Sequence, residues 1–168
     1  MTAKPTFGPP ERVVKVADWA AERDRGTIVT LGLGSCVAIM VYDPKVPAAA
    51  MAHVLLPSRS LARDTSNAAK FPETAVPLLV DRLRQLGAEP KRLVAKLAGG
   101  ASMFAALLTP GNIQMGERNA VAARNALRAA GIPVVAEAVG GTVGRTVRFD
   151  VATGVAELRS VGQDAVLL

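Results

Sequence analysis

The chain carries a single cysteine and a single histidine, and the two lie in neighbouring apolar segments. Cys36 follows a Gly-Leu-Gly-Ser segment, and His53 lies in the next apolar segment. A cysteine thiol becomes a nucleophile when a base such as imidazole takes its proton. One thiol and one imidazole also exclude an internal disulfide and a structural zinc site, which takes about four Cys or His ligands. We therefore expect no metal and no cofactor, and we treat this pair as the first candidate for catalysis.

The residues around this pair favour acyl chemistry. Gly34 and Ser35 predict a tight turn whose unpaired backbone amides can act as an oxyanion hole. The two apolar segments hold no carboxylate that could orient the imidazole, so a hydroxyl, from Thr30 or Ser35, is the candidate. Residue types alone still favour the plainer interpretation, in which Cys36 is a small buried hydrophobe and His53 a hydrogen-bonded core residue.

Short apolar runs separated by turn residues predict the strands that must position these groups. The predicted strands are 13–17, 27–31, 36–42, 50–56, 92–98, 134–137, 146–150 and 155–159. Apolar periodicity with a following glycine predicts helices over 73–86 and 117–130. This order is not a regular βαβ alternation. It predicts an α/β fold of the α+β type, a layered sandwich with a mixed, largely antiparallel sheet and covering helices.

Composition bounds the remaining possibilities. Half of the residues are hydrophobic, and no repeat or linker divides the chain, so residues 1–168 are predicted to form one domain with a loose proline-rich arm over 1–12. No apolar run approaches the ~18 residues of a membrane span, and the N-terminus lacks the apolar core of a signal peptide, which favours the cytoplasm. The net charge of +6 is evenly spread and only 4% of residues are aromatic, which disfavours nucleic-acid binding.

Six short segments resemble, in order, the motifs of the CheD chemoreceptor glutamine deamidases. They are residues 30–37, 42–43, 53–57, 95–103, 116–119 and 140–145. Any one of them is a weak pattern, but six in order are specific. The resemblance implies a layered α/β sandwich and a catalytic triad in which Cys36 is the nucleophile, His53 the general base and Thr30 the orienting residue. It implies hydrolysis of receptor glutamine amides to glutamate through a thioester.

The resemblance also implies partners. These are the cytoplasmic helical domain of a chemoreceptor, as substrate, and a CheC-type phosphatase that regulates the enzyme. We expect neither nucleic-acid binding nor membrane insertion. Two other functions stay open: an esterase acting on receptor glutamyl methyl esters, and a docking partner of the phosphatase with minor catalysis.

Two further residue pairs are predicted to shape the cleft beside Cys36. Gly99 and Gly100 fit a close approach of backbone to the nucleophile, although such pairs are more often simple turns. Arg118 and Asn119 fall at a predicted helix start, where an arginine is disfavoured by the helix dipole. A buried hydrogen-bonding role is therefore the alternative to a role at the helix end. The polar loop 58–70 matches no motif.

Overall fold

Ten strands and two helices are present in the part of the chain that the computed structural model describes, residues 3–103 and 114–168. The strands are β1 (Glu11–Val13), β2 (Trp19–Arg23), β3 (Thr27–Leu33), β4 (Val37–Asp43), β5 (Ala48–Val54), β6 (Val94–Gly99), β7 (Val134–Val139), β8 (Arg145–Asp150), β9 (Ala156–Arg159) and β10 (Val166–Leu167). The helices are α1 (Pro72–Gln85) and α2 (Met115–Ala129).

The strands form two five-stranded sheets. The first has the order β1-β3-β8-β9-β10, and the second has the order β2-β5-β4-β6-β7. The pairs β1–β3 and β6–β7 are parallel and the other pairs are antiparallel. The predicted class, a layered α+β sandwich with mixed, largely antiparallel pairing and covering helices, is confirmed. Its strands are divided between two sheets.

The second sheet is the middle layer of three. Its central strands β4 and β5 are buried on both faces, which explains their nearly continuous apolar sequence. Because side chains alternate along a strand, one face packs on the helices and the other on the first sheet. The helix-facing core includes Val37, Ile39, Leu79 and Leu127. The core between the sheets includes Cys36, Ala38, Met40, Met51 and Phe149.

Both predicted helices are present, each beginning one or two residues before the predicted start. Pro77 lies inside α1. Neither helix of the described ranges has the length and apolar character needed to cross a membrane. The predicted loop 58–70 contains short 3-10 turns at Arg59–Leu61 and Ala68–Lys70.

The N-terminal segment differs from the loose arm predicted over 1–12. The backbone N–H groups of Thr6 and Phe7 donate to the carboxylate of Asp150, and the Thr6 hydroxyl adds a third bond at 2.9 Å. Asp150 is fully buried, and a buried carboxylate needs such donors. Residues 11–13 then form β1 against β3. The arm is therefore bound from Thr6 onward, while residues 1 and 2 lie outside the described part of the chain.

The first predicted strand is also shorter than expected. The run 13–17 enters β1 only at Val13, because Ala17 takes a left-handed conformation with φ of 60° and turns the chain. The strand that follows, β2, was missed by the sequence pattern. The turn at Ala17 lies against the strand that carries His53. The N–H of Ala17 donates to the carbonyl of His53 at 2.9 Å, and the N–H of His53 donates to the carbonyl of Asp18 at 3.0 Å.

Candidate active site

Cys36 lies where the chain crosses from the first sheet to the second. After Thr30 the pairing of β3 with β8 shifts register, and Leu31 and Gly32 turn outward. Gly32 has φ of 63°, a conformation that favours glycine. The chain then turns through Gly34 and Ser35 and enters β4 directly after Cys36. The cysteine is buried, with 9% of its surface exposed.

Strand register places Cys36 and His53 on the same face of the second sheet. His53 is paired directly with Ala38. Cys36 lies two residues before Ala38, and side chains two apart on a strand share a face. Cys36 and His53 are therefore diagonal cross-strand neighbours, a separation that longer side chains can bridge. Both face the space between the sheets, toward β3 and Thr30.

The Thr30 hydroxyl joins the two sheets at this point. It lies 2.7 Å from Nδ1 of His53 and 2.6 Å from the carbonyl oxygen of Val14. A carbonyl can only accept, so the single hydroxyl proton goes to Val14, and Thr30 accepts from the Nδ1–H of His53. This assigns the proton of the neutral imidazole to Nδ1 and leaves the lone pair on Nε2, as a general base requires.

The second ring nitrogen is the unusual atom of the site. His53 is fully buried, and its Nε2 has no hydrogen-bond partner within residues 3–103 and 114–168. The Cys36 thiol is therefore not hydrogen-bonded to it in this structure. Catalytic hydrogen bonds are often formed only once substrate binds. A buried lone pair without a hydrogen-bond donor destabilises the fold. Such an unsatisfied atom is typical of a group that takes part in catalysis.

Burial keeps both groups of the pair neutral. Desolvation lowers the pKa of His53 to about 4, so the ring carries no charge at neutral pH. Desolvation also raises the pKa of the Cys36 thiol, an effect that its own backbone N–H partly offsets. The resting state is thus a thiol beside a neutral imidazole and not a thiolate–imidazolium pair.

The turn before Cys36 is held by its carbonyl groups, which leaves its amides available. The N–H of Ala101 donates to the Gly34 carbonyl and the N–H of Gly100 donates to the Cys36 carbonyl, both at 2.8 Å. Within the described ranges, the N–H groups of Ser35 and Cys36 donate to no backbone carbonyl. Both belong to the turn whose amides are predicted to form the oxyanion hole.

The glycine pair predicted to shape the cleft lies directly behind this turn. Gly99 has φ of 107° and Gly100 has φ of 63°. A Cβ on Gly99 would collide with the Cys36 carbonyl, and one on Gly100 would come within 2.8 Å of the Gly116 carbonyl of α2. Both positions therefore require glycine for close packing, which brings β6 and α2 against the turn at residues 34–36.

The two residues predicted at the start of α2 lie in different environments. Asn119 is fully buried, and its Nδ2 donates to the carbonyls of Ser35 and Leu55. Arg118 is exposed and lies with Pro57 and Val121 along a shallow cavity. The alternative of a buried hydrogen-bonding role thus holds for Asn119 and is wrong for Arg118, because adjacent helical positions point in different directions.

Two contributors to the site were not predicted. Val14 acts through its backbone carbonyl, which leaves no side-chain signal in the sequence. Arg145 donates to the carbonyls of Gly99 and Gly140, at 3.1 and 2.9 Å, and so ties both glycine turns together. The only sequence signal for Arg145 is its place in the segment 140–145.

A groove of about 450 Å³ adjoins the far side of the Gly99–Gly100 turn. It runs between the start of α2 and the end of β7, and Ser102, Glu117 and Thr142 lie along it. Gly100 is its point of contact with the turn at residues 34–36, since the N–H of Gly100 donates to the Cys36 carbonyl.

Comparison with known proteins identifies relatives of this chain. A family model described as CheD chemotactic sensory transduction matches residues 55–160. That match begins after Cys36 and His53, so it does not bear on the two residues. Longer similarities to curated proteins extend over about nine-tenths of the chain.

Two of these relatives carry the same activity in their names. A probable chemoreceptor glutamine deamidase CheD of Caldanaerobacter subterraneus subsp. tengcongensis is 40% identical over 149 residues, which is 89% of this chain and 92% of the relative. The chemoreceptor glutamine deamidase CheD of Thermotoga maritima is 41% identical over 152 residues, 90% of this chain and 93% of the relative.

The crystal structure of the Bacillus licheniformis hypothetical protein YfiH is similar over 74% of this chain and 51% of its own, with 15% identity and a TM-score of 0.48.

Proposed function

The chain belongs to the CheD family, and from that premise we propose that it hydrolyses the side-chain amide of glutamine residues in a chemoreceptor to glutamate. Its curated relatives are named for this activity, which makes the protein a hydrolase of bacterial chemotaxis. The observation that carries the proposal is the Thr30–His53 hydrogen bond of 2.7 Å, formed where a lone cysteine crosses between the two sheets. This bond leaves Nε2 of His53 free to act as a base.

We propose that Cys36, His53 and Thr30 are the catalytic triad. Nε2 of His53 takes the thiol proton as Sγ of Cys36 attacks the glutamine carboxamide carbon. The negative oxygen of the tetrahedral intermediate is held by the N–H groups of Ser35 and Cys36. The intermediate collapses, the C–N bond breaks, and the imidazolium gives its proton to the leaving ammonia.

The thioester left on Cys36 is then hydrolysed. His53 takes a proton from water, the resulting hydroxide attacks the thioester carbon, and the C–S bond breaks. The departing thiolate recovers its proton from the imidazolium, which restores the resting pair. Thr30 accepts from the Nδ1–H of His53 throughout, because its own proton is committed to Val14.

The test is to present one purified chemoreceptor cytoplasmic fragment in two forms, with glutamines and with glutamyl methyl esters at the same positions. We expect ammonia release and conversion of glutamine to glutamate, read by peptide mass spectrometry, and much slower methanol release. Methanol release without ammonia would replace the deamidase by an esterase. Release of neither, with the phosphatase partner still bound, would favour a docking protein.

We also propose that the protein works in the cytoplasm on the cytoplasmic helical domain of the receptor, and that a CheC-type phosphatase binds it. The family membership supports both partners, and the net charge of +6 is compatible with docking on an acidic helical surface. Co-elution of the purified protein with a purified CheC-type phosphatase tests the second partner. Separate elution at micromolar concentrations of both would contradict it.

A further inference from the structure

A buried side chain of α2 connects the turn at residues 34–36, called here the nucleophile turn, with the end of the strand that carries His53. Nδ2 of Asn119 donates to the carbonyl of Ser35 at 2.9 Å and to the carbonyl of Leu55 at 3.1 Å. Ser35 immediately precedes the nucleophile, and Leu55 lies two residues after His53. Because both acceptors are carbonyls, the orientation of the Asn119 amide is fixed, with its nitrogen toward them.

We infer that Asn119 is a positioning residue, which sets the distance between Sγ of Cys36 and Nε2 of His53. This inference rests on the proposed function, in which these two atoms exchange a proton. Asn119 is fully buried and touches neither reacting atom by hydrogen bond, so it acts through the two backbone segments. One amide holds both segments at a single spacing.

The residues packed around Asn119 explain why this side chain fixes the spacing between the Ser35 and Leu55 segments. Gly116, one turn earlier, packs against the backbone of Gly100 and Ala101 so closely that a Cβ would not fit. Gly100 and Ala101 in turn donate to the carbonyls of Cys36 and Gly34. The start of α2 therefore packs against one side of the nucleophile turn through Gly100 and Ala101. Asn119 extends beyond this contact to the backbone at the end of β5.

The remaining polar atom of Asn119 points to a functional constraint. Its Oδ1 is buried and has no hydrogen-bond partner within the described residues. An amide that served only to fill and satisfy the core would pair both of its ends, since an orphaned buried acceptor is costly. Here the oxygen is left unpaired, and the nitrogen makes the two bonds that join the catalytic segments.

The first experiment compares Asn119→Ala with Leu127→Val, which removes apolar volume from a buried position two turns further along α2. We expect Asn119→Ala to lower kcat by about 10- to 100-fold, as misplacement of reacting groups does, with KM nearly unchanged. We also expect iodoacetamide to alkylate Cys36 faster in this variant, because the nucleophile turn is no longer held against β5. We expect Leu127→Val to have the kcat and the alkylation rate of the parent.

A second variant separates positioning from space filling. Asn119→Asp keeps the size of the side chain but cannot donate two bonds, so we expect the same fall in kcat. Asn125→Asp makes the same charge change at an exposed position of α2 and is expected to behave as the parent. Parent-like kcat in Asn119→Asp, or equal behaviour of Asn119→Ala and Leu127→Val in both assays, would overturn the inference.

The two readouts also keep this inference apart from the proposed function. Alkylation of Cys36 by iodoacetamide needs no receptor and no turnover. If the parent releases no ammonia from the receptor fragment, the proposed function fails, while the alkylation comparison still tests whether Asn119 holds the nucleophile turn. If the parent is active and the variants match their controls, only the inference about Asn119 fails.

Discussion

The two ends of the β4–β5 pair both bury polar groups, but they treat them in opposite ways. At the hairpin end, the Asp43 carboxylate accepts from the backbone N–H groups of Lys45 and Glu89 and from two nitrogens of Arg92. At the open end, His53 makes one hydrogen bond through Nδ1 and keeps a buried, unpartnered Nε2. A satisfied buried group stabilises the fold, whereas an unsatisfied one is available for chemistry.

The pKa values of Asp43 and His53 reflect the same difference in hydrogen bonding. Burial alone would raise the pKa of Asp43, but the hydrogen bonds from Arg92, Glu89 and Lys45 hold it well below its usual range. At the other end nothing offsets the burial of His53, and its pKa falls to about 4. The hairpin end thus keeps its charge at neutral pH, and the open end loses it. This contrast predicts which substitutions affect turnover and which affect stability.

Within the β4–β5 pair, the largest effect is expected from removing the base. His53→Gln fills a similar volume but cannot take the thiol proton, so we expect ammonia release from a receptor fragment to fall by about 10²- to 10⁴-fold. The free energy of unfolding at pH 7 should change far less. Turnover within a few-fold of the parent would show that the open end is a structural site like the hairpin end.

The reverse pattern is expected at the hairpin end. Asp43→Ala leaves two backbone N–H groups and Arg92 without their acceptor, and we expect unfolding to become easier by about 3 kcal/mol. Activity per folded molecule should match the parent. Asp81→Ala is the control, because Asp81 pairs with Arg84 on an exposed face of α1. Chemical denaturation of the three proteins measures this, and equal stability of the two variants would contradict the account.

The third effect is smaller, because Thr30 only orients the ring. Thr30→Val removes the hydroxyl at nearly constant volume, and we expect turnover to fall by about 10- to 100-fold, as for other groups that orient a functional histidine. Thr27→Val is a matched control: it is also buried in β3, and its hydroxyl donates to the Gly8 carbonyl away from the site. A similar loss of turnover in both variants would mean that the hydroxyl has no special relation to His53.

These residues also show what the sequence alone could predict. The lack of a carboxylate near Cys36 and His53 pointed to Thr30 or Ser35 as the orienting hydroxyl, and the structure brings Thr30 to His53. The continuous apolar run at 36–42 predicted the doubly buried β4. The division of strands between two sheets was not predictable, because it depends on pairings between segments far apart in the chain. The Val14 carbonyl that orients the hydroxyl was equally hidden, since any residue has one.

The smallest effect is on the pH dependence of stability. An unfolded histidine titrates near pH 6.5, and the folded His53 near 4, so the unfolded chain binds the extra proton between these values. Stability from this group is present above pH 6.5 and is lost as the pH falls toward 4, by about 1–2 kcal/mol at pH 5. The Asp43 contribution is kept over that window and is lost only at more acid pH.

His53→Gln isolates this term. The variant should lose less stability than the parent between pH 7 and pH 5, measured by chemical denaturation at each pH. Equal losses in the two proteins would mean that His53 titrates normally in the folded state, and that its burial does not keep it neutral.

The most direct test of the central claim is peptide mass spectrometry of a chemoreceptor cytoplasmic fragment after incubation with the parent, with Cys36→Ala and with Asp43→Ala at equal folded concentrations. The account predicts that the parent and Asp43→Ala convert glutamine to glutamate at the same rate, and that Cys36→Ala converts none above the no-enzyme background. Conversion by Cys36→Ala at the parent rate would contradict it.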